Sequence, residues 1–210
     1  MTEDGPTTPG KAQRRRQEAA RRLRDEGLKL IARQGLHACK VEEITRAAGV
    51  GKGTFFTHFA SKGHFVAALV DHILGDVARR VRPLALAPED ANALLAGVGA
   101  VHLRYFQLRP DAASLLVQAG GLAEDSDQGQ VVRQRLRQHV DMVAEMLRPA
   151  AAAVGWPVER AAELALMVVA TSCGFFWFAR PLGLGHDTPM ALLERLGRAM
   201  AGGLAGGAQP

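Results

Sequence analysis

The stretch VEEITRAAGVGKGTFFTHFASKGHF, residues 41–65, decides the fold of this chain. Its pattern of apolar and polar residues predicts a short helix over residues 41–48 and a second over about residues 51–59. Gly49 lies between them and can take the left-handed conformation that a sharp turn requires. Two short helices joined by such a turn form a helix-turn-helix, whose second helix can lie in a DNA major groove.

The side chains of this stretch meet the other demands of a helix-turn-helix. Small apolar residues are needed where the helices cross, and we expect that role of Ala47, Ala48 and Val50. The first short helix would carry Ile44 and Ala47 inward. Polar side chains must face outward from the second helix, and here they are Lys52, Thr54, Thr57 and His58. Gly51 and Gly53 weaken that helix, but glycine lets backbone amides approach a phosphate closely.

Helical periodicity continues on both sides of this stretch. From Gln13 onward one face carries Leu23, Gly27, Leu30 and Ile31, and Gly35 stands where this helix would end. Ser61 is placed to cap a long helix. The buried face predicted for that helix consists of Phe65, Val66, Leu69, Val70, Ile73, Leu74 and Val77.

The remaining residues read as a series of helices separated by glycine and proline. They are predicted over residues 89–107, 111–120, 128–148, 157–179 and 188–204. Because no strand-like alternation persists anywhere, we predict an all-α protein of about nine helices. Its first three helices would form a domain with the helix-turn-helix, and the rest a C-terminal helical domain.

Positive charge is concentrated in the first third of the chain. Residues 1–65 hold 13 Lys and Arg and 7 Asp and Glu, a net of +6, whereas residues 66–210 hold 13 and 14, a net of −1. A polyanion-binding N-terminal domain that is joined to a neutral C-terminal domain has this distribution of charge. A merely solvated basic surface has it too, and for Arg14, Arg15 and Arg16 a solvated tail competes with a DNA contact.

Composition excludes several classes of protein. Two cysteines, Cys39 and Cys173, cannot build a disulfide framework or a four-cysteine zinc site, and they suit a reducing compartment. The seven histidines lack metal-binding spacing, so we expect no metal site and no cofactor. Residues 1–16 contain no apolar signal segment, and the apolar run at 164–179 is shorter than the ~20 residues that span a bilayer. These features predict a cytoplasmic protein without a membrane span.

Residues 41–65 resemble the DNA-binding domain of the TetR/AcrR family of transcriptional regulators. The resemblance is carried by Ile44, Ala47-Ala48-Gly49-Val50, Lys52-Gly53-Thr54, Phe56, His58-Phe59 and Ser61-Lys62, with Leu28, Ile31 and Gly35 upstream. It implies that the recognition helix faces an operator with Lys52, Gly53, Thr54, Phe56, Thr57 and His58. It also implies that Lys62 meets a backbone phosphate, aided by the dipole of the helix that begins there.

Three positions depart from the family pattern. The family usually has tyrosine at Phe56, whose ring lacks the phenol that donates to phosphate. Lys40 stands where a Ser or Thr normally caps the second helix, so that cap is lost or replaced. Gly63 and His64 replace an acidic pair, which removes negative charge near the DNA.

The resemblance also implies an organisation and a mode of action. The expected segments are a disordered tail at 1–10, a DNA-binding domain at 11–60, a ligand-binding and dimerisation domain at 61–205 and a flexible C-terminus at 206–210. We expect a homodimer through residues 157–179 and 188–204, binding palindromic double-stranded DNA as a repressor. A small apolar or amphipathic effector would release it, with the candidate contacts Tyr105, Gln118, His139, Met142, Met146 and Trp177.

Two other classes of function stay open at this point. One is a helical enzyme with an appended DNA-binding head, although the sequence shows no catalytic signature and we expect no enzyme. The other is an architectural DNA-binding protein without a ligand. The sequence does not name the effector, the operator or the regulated genes, nor does it decide between repression and activation or the redox state of Cys39 and Cys173.

Overall fold

The computed structural model describes residues 10–86, 91–122, 126–153 and 156–179. Within them the chain forms eight α-helices and two 3-10 turns, at Arg82–Leu86 and Val158–Arg160, and no strand. The helices are α1 Lys11–Gln34, α2 Val41–Ala47, α3 Lys52–His58, α4 Lys62–Val81, α5 Ala91–Leu108, α6 Pro110–Gly120, α7 Asp127–Ala153 and α8 Ala161–Ala179. The all-α prediction is confirmed. The helix predicted at 188–204 and the C-terminal tail lie outside the described residues, as does the N-terminal tail up to residue 9.

The chain divides into two compact units, Met1–Leu69 and Val70–Pro210. The first contains α1, α2, α3 and the start of α4, and the second contains the rest of α4 and α5 to α8. This division describes how the chain packs. The functional boundaries expected at residues 60 and 61 stay predictions.

The core of the first unit forms around the side chain of Phe65. A Cβ atom added to Gly27 would lie 2.3 Å from Cζ of Phe65, so α1 and α4 approach to a distance that only glycine permits. Gly49 adopts a φ of 64° and makes the turn between α2 and α3, as its position predicts. The fully buried large side chains here are Leu23, Ile31, Ile44, Phe55, Phe65 and Leu69.

Two expectations about inward-facing residues in the first unit are wrong. Ala47 is exposed, whereas Thr45 and Ala48 are buried with Ile44. In a helix, Ala48 stands only about 40° round the axis from Ile44, and Ala47 stands about 60° away on the opposite side. On α1, Leu30 is half-buried and Leu28 is buried in its place.

The second unit packs helices around an apolar interior. All seven residues predicted for the buried face of α4 are buried, including those that belong to the first unit. The helix α7 extends to Ala153, although the sequence predicts its end at residue 148. It continues through Pro149 because that ring faces solvent, where water can satisfy the carbonyl group that loses its N–H partner, and because Ala150 and Ala151 are fully buried.

The helix α8 is apolar on nearly every side, as its sequence predicts. Leu164, Ala165 and Val169 are buried, whereas Leu166 and Met167 are 54% and 42% exposed. None of the helices in the described part of the chain is both long and apolar enough to cross a bilayer.

Candidate functional site

The helix α3 is held in place by one buried aromatic residue. Phe55 is fully buried, and its ring centroid lies 5.4 Å from that of Phe59 and 5.3 Å from that of Phe65. The rings of Phe59 and Phe65 complete the cluster at 4.9 Å, within the range of favourable aromatic pairs. This anchor fixes which side of α3 faces outward.

The outward side of α3 carries most of the residues predicted to contact DNA. Lys52, Gly53, Phe56 and Thr57 are exposed, and Thr54 and His58 are half-buried. Phe56 is 48% exposed and meets the buried ring of Phe55 edge-on. A Cβ atom added to Gly53 would contact nothing within 4 Å, so the backbone there is open to a close approach.

The ammonium group of Lys52 is paired within the helix-turn-helix. Its Nζ atom donates to Oε1 of Glu42 on α2 at 2.5 Å, and both side chains are more than half exposed. The pair holds the pKa of Glu42 below its usual value, chiefly through this hydrogen bond. An exposed pair of this kind contributes little to stability, so Lys52 can leave Glu42 for another acceptor at little cost.

Thr57 and His58 are the last two residues of α3. The hydroxyl group of Thr57 donates to the carbonyl oxygen of Gly53 at 2.9 Å. Partial burial lowers the pKa of His58, and the positive charges of Arg16 and Arg24 lower it further. The imidazole is therefore neutral near pH 7, with one ring nitrogen donating and the other accepting.

The helix α2 starts without the hydroxyl cap that the family usually has. Lys40 occupies the N-cap position, and its backbone N–H donates to Oε2 of Glu43 at 2.9 Å. The same carboxylate oxygen accepts from Nε2 of Gln34, the last residue of α1, at 2.9 Å. These two bonds lower the pKa of Glu43. One half of a capping box is thus retained, and it joins the end of α1 to the start of α2.

Ser61 caps α4, as predicted. Its hydroxyl oxygen accepts the backbone N–H of His64 at 3.2 Å and lies 2.9 Å from Nδ1 of the same residue. Lys62, the first residue of α4, is half-buried and donates from Nζ to the carbonyl oxygen of His37 at 3.2 Å. The site predicted for a phosphate contact therefore has a lysine that is already positioned by the loop between α1 and α2.

The effector candidates lie on α5, α6, α7 and α8 of the second unit. Tyr105 and His139 are buried, whereas Gln118, Met142 and Met146 are half-buried. The amide of Gln118 donates to the Ser114 hydroxyl group at 3.0 Å. His139, Met142 and Met146 share one face of α7 by their spacing. The side chain of Trp177 is outside what the structure describes.

A buried histidine pair was not predicted from the sequence. The Nε2 atoms of His102 on α5 and His139 on α7 lie 3.0 Å apart, and Nδ1 of His102 lies 2.8 Å from the carbonyl oxygen of Val98. Burial lowers the pKa of both imidazoles, that of His139 to about 4 with a further contribution from His102. His102 stands on the apolar stripe of α5, one turn from Tyr105, but no local pattern pairs it with a residue 37 positions away.

The hydroxyl group of Tyr105 has no partner. Among the described residues it is the one buried side-chain polar atom without a hydrogen bond. Burial, followed by the charge of Asp76, raises the pKa of this phenol to about 12, so it stays neutral and able to donate. The guanidinium group of Arg80 lies 5.3 Å from the centroid of the ring.

Most of the first unit matches a known protein-family model. Residues 23–69 match the model of the bacterial regulatory proteins of the tetR family. No curated protein matches the chain at a significant level. The matched segment contains α2, α3, the caps and the start of α4, which are the elements that carry the site.

Solved structures share the fold over most of the chain at low sequence identity. The fatty acid degradation regulator FadR from Bacillus halodurans superposes with a TM-score of 0.74 at 18% identity, covering 94% of this chain and 98% of that one. FadR from Bacillus subtilis, solved in complex with stearoyl-CoA, gives 0.73 at 17%, with 86% and 97% covered. PfmR from Thermus thermophilus, a TetR family regulator, gives 0.65 at 20%, with 86% and 97% covered.

Proposed function

We propose that this chain, a tetR-family transcriptional regulator by the match of its N-terminal unit and by its fold, binds a palindromic operator as a homodimer and acts as a repressor. The observation that carries DNA binding is the outward side of α3. Phe56 is 48% exposed there beside Lys52 and Thr57, although three other aromatic rings of the same unit are buried. An exposed apolar ring among donors suits base edges and thymine methyl groups.

The proposed DNA contacts are of two kinds: contacts to base edges read the sequence, and contacts to the phosphate backbone position the protein. Lys52, Thr57 and His58 would meet base edges, and Gly53 would let the backbone of α3 come close to the groove. Lys62 would contact a phosphate at the start of α4, where the helix dipole favours negative charge. When Lys52 meets a base edge it leaves Glu42, so an exposed ion pair that contributes little to stability is exchanged for a hydrogen bond to a base acceptor.

The proposed dimer uses the exposed side of α8. An apolar strip runs along it at the spacing of helical turns, formed by Ala162, Leu166, Met167 and Ala170. Burying that strip against a second copy would remove apolar surface from water. Two copies related by a twofold axis would place their α3 helices in successive major grooves, ~34 Å apart or a multiple of it.

The proposed effector is a small apolar or amphipathic molecule bound by the second unit. Because the similar FadR structure from Bacillus subtilis holds stearoyl-CoA, a long-chain acyl-CoA is the first compound to test. The phenol of Tyr105 and the pair His102–His139 offer polar contacts in an interior that is mostly apolar. Release requires that the effector bind the DNA-incompetent state more tightly than the competent one. The helix α4, which has residues in both units, is the proposed lever.

The test is selection of genomic DNA fragments by the purified protein, followed by binding measurements across a salt series with and without stearoyl-CoA. We expect a palindrome to be enriched and stearoyl-CoA to weaken its binding. Lys62→Ala, which removes one phosphate contact from each copy in the dimer, should weaken all duplexes about equally and lower the salt slope by about 1.8. Lys29→Ala is the matched control, since Lys29 is exposed and paired with Glu26 on α1.

Three results would contradict parts of this proposal. If no sequence is enriched at low salt, the first unit is not a specific DNA reader. An unchanged salt slope in Lys62→Ala would exclude the phosphate role of that residue. Insensitivity to stearoyl-CoA would exclude long-chain acyl-CoA as the effector, while leaving the reading of DNA intact.

A further inference from the structure

The first half of α1 carries most of the positive charge of the first unit. Residues 11–24 hold seven Lys and Arg and one Glu, a net of +6, which equals the net charge of all residues from 1 to 65. Arg14, Arg15 and Arg16 lie within α1 and are exposed, so they form part of a helix and not a tail. Their guanidinium groups therefore project from a fixed scaffold.

Three arginines of α1 lie beside the helix-turn-helix. Nη2 of Arg16 is 3.5 Å from the carbonyl oxygen of Thr57, near the end of α3. Nη1 of Arg22 lies 3.7 Å from the position that a Cβ atom on Gly49 would take, so this guanidinium lies over the turn between α2 and α3. Arg16 and Arg24 both lower the pKa of His58 by their charge, which places them near the last residue of α3.

These arginines differ from their neighbour Arg21 in how they are paired. Arg21 is neutralised by Glu18 at 2.7 Å and by Asp25 at 3.3 Å. Among the residues that the structure describes, neither Arg16 nor Arg22 has a carboxylate oxygen within 4 Å. A guanidinium group has five N–H donors, and the single bond from Arg16 to Thr57 leaves most of them free.

We propose that Arg16 and Arg22 bind backbone phosphates that flank the bases met by α3, and that α1 is therefore a second DNA-contacting helix of this protein. This inference rests on the proposed function, because it extends the same DNA interface. Arginine matches phosphate with a planar fork of donors, and each contact releases condensed counterions. The contacts add affinity for any sequence and hold α3 in register along the groove.

The experiment measures binding of the full-length protein to a fluorescein-labelled mixed-sequence duplex about 30 bp long, roughly three helical turns, across a salt series. The variant Arg16→Ala/Arg22→Ala removes both proposed contacts. The control Arg21→Ala/Arg33→Ala removes the same charge from α1, since Arg21 is paired and Arg33 lies about 25 Å along the axis from Arg16. A second control, Arg16→Lys/Arg22→Lys, retains both charges.

We expect the first variant, which removes four phosphate contacts from the homodimer, to lower the slope of log K against log salt by about 3.6, and affinity at moderate salt by roughly tenfold or more. The Arg21 and Arg33 control should keep the wild-type slope, and the lysine variant should keep most of it. All four proteins should melt at the same temperature. On the selected operator, where the register is fixed, phosphate ethylation interference should lose its flanking positions only in the first variant.

The failures of the two proposals are distinguishable. If the wild-type protein does not bind the duplex even at low salt, the proposed function fails. If the wild type binds and the Arg16 and Arg22 variant keeps its full slope, the role of α1 is excluded and DNA binding stands. An equal loss of slope in the Arg21 and Arg33 control would also overturn the inference, because it would show a general effect of charge.

Discussion

The Nε2 atoms of His102 and His139 face each other at 3.0 Å inside the second unit, which requires one nitrogen to donate and the other to accept. Because Nδ1 of His102 donates to the carbonyl oxygen of Val98 at 2.8 Å, its Nε2 atom holds the lone pair and His139 is the donor. Both rings are neutral in this arrangement, and a proton added to His102 would remove the acceptor.

This pair predicts a loss of stability in mild acid. The folded state lowers the pKa of both imidazoles, so its stability is complete above the unfolded value of about 6.5 and falls as pH decreases toward the folded values. For His139 alone, with a folded pKa of about 4, the loss of unfolding free energy reaches about 3 kcal/mol at the acid end. Urea unfolding between about pH 7.5 and pH 5, over which His139 alone accounts for about 2 kcal/mol of this loss, measures it.

The control for this prediction is the variant His102→Gln/His139→Gln, which has no imidazole at either position. It should show a flatter dependence of stability on pH over the same range than the wild type. The paired acidic residues Glu18, Glu42, Glu43 and Glu163 have lowered pKa values, so they contribute at lower pH. Equal slopes in the two proteins would show that the pair does not set the acid sensitivity.

Gly27→Ala should destabilise the first unit. The added Cβ atom would lie 2.3 Å from Cζ of Phe65, and that ring cannot swing away because Phe55 and Phe59 pack against it. We expect a loss of about 1–3 kcal/mol, as for other overpacked cores, measured by urea unfolding. Gly53→Ala is the matched control: the site is open and within α3, so stability should rise by roughly 0.5–1 kcal/mol. A neutral Gly27→Ala would contradict the close approach of α1 and α4.

Phe56→Tyr should tighten operator binding without changing stability. Phe56 is 48% exposed, so a phenol hydroxyl group added there stays in water in the free protein. If the ring lies at the DNA backbone, the new donor gains a hydrogen bond to a phosphate, worth roughly a tenfold increase in affinity. Fluorescence anisotropy with the selected operator measures it. No gain would mean that the ring, although it meets base edges, does not bring a hydroxyl group within reach of the backbone.

Tyr105→Phe should stabilise the free protein. The change removes a buried hydroxyl group that has no partner among the described residues, and it keeps the ring, over which the guanidinium group of Arg80 lies. We expect a gain of about 1 kcal/mol in unfolding free energy and a reduced thermal shift on addition of stearoyl-CoA. A less stable variant would show that the hydroxyl group is hydrogen-bonded in solution, for example to an ordered water molecule.

Local signals in the sequence account for what was predicted correctly. The turn at Gly49, the cap at Ser61 and the seven buried residues of α4 depend on neighbours within a few positions, and helical periodicity reports them. Which side of the seven-residue α2 is buried depends on its packing partners, so Ala47 was misplaced. Two turns of helix contain too few apolar residues to define a stripe.

In the candidate site, too, local features were predictable from the sequence and contacts between helices were not. The motif identified the outward residues of α3, whose exposure follows from the burial of Phe55. It did not reveal that Lys52 is paired with Glu42, that Arg16 reaches Thr57, or that His102 meets His139. Each of these contacts joins two helices, and the residues are 10, 41 and 37 positions apart. Only the folded chain determines such pairings.

The three-ring cluster of Phe55, Phe59 and Phe65 sets the smallest piece of this chain that can be transplanted into another protein. A chimera joined at residue 60 would carry two of the rings without the third and would leave Gly27 facing a gap. A junction after Leu69 would transfer the complete core, the cap at Ser61 and the lysine that follows it. The smallest transferable domain is thus longer than the helix-turn-helix. Its C-terminal boundary is set by Phe65, a fully buried side chain that does not contact DNA.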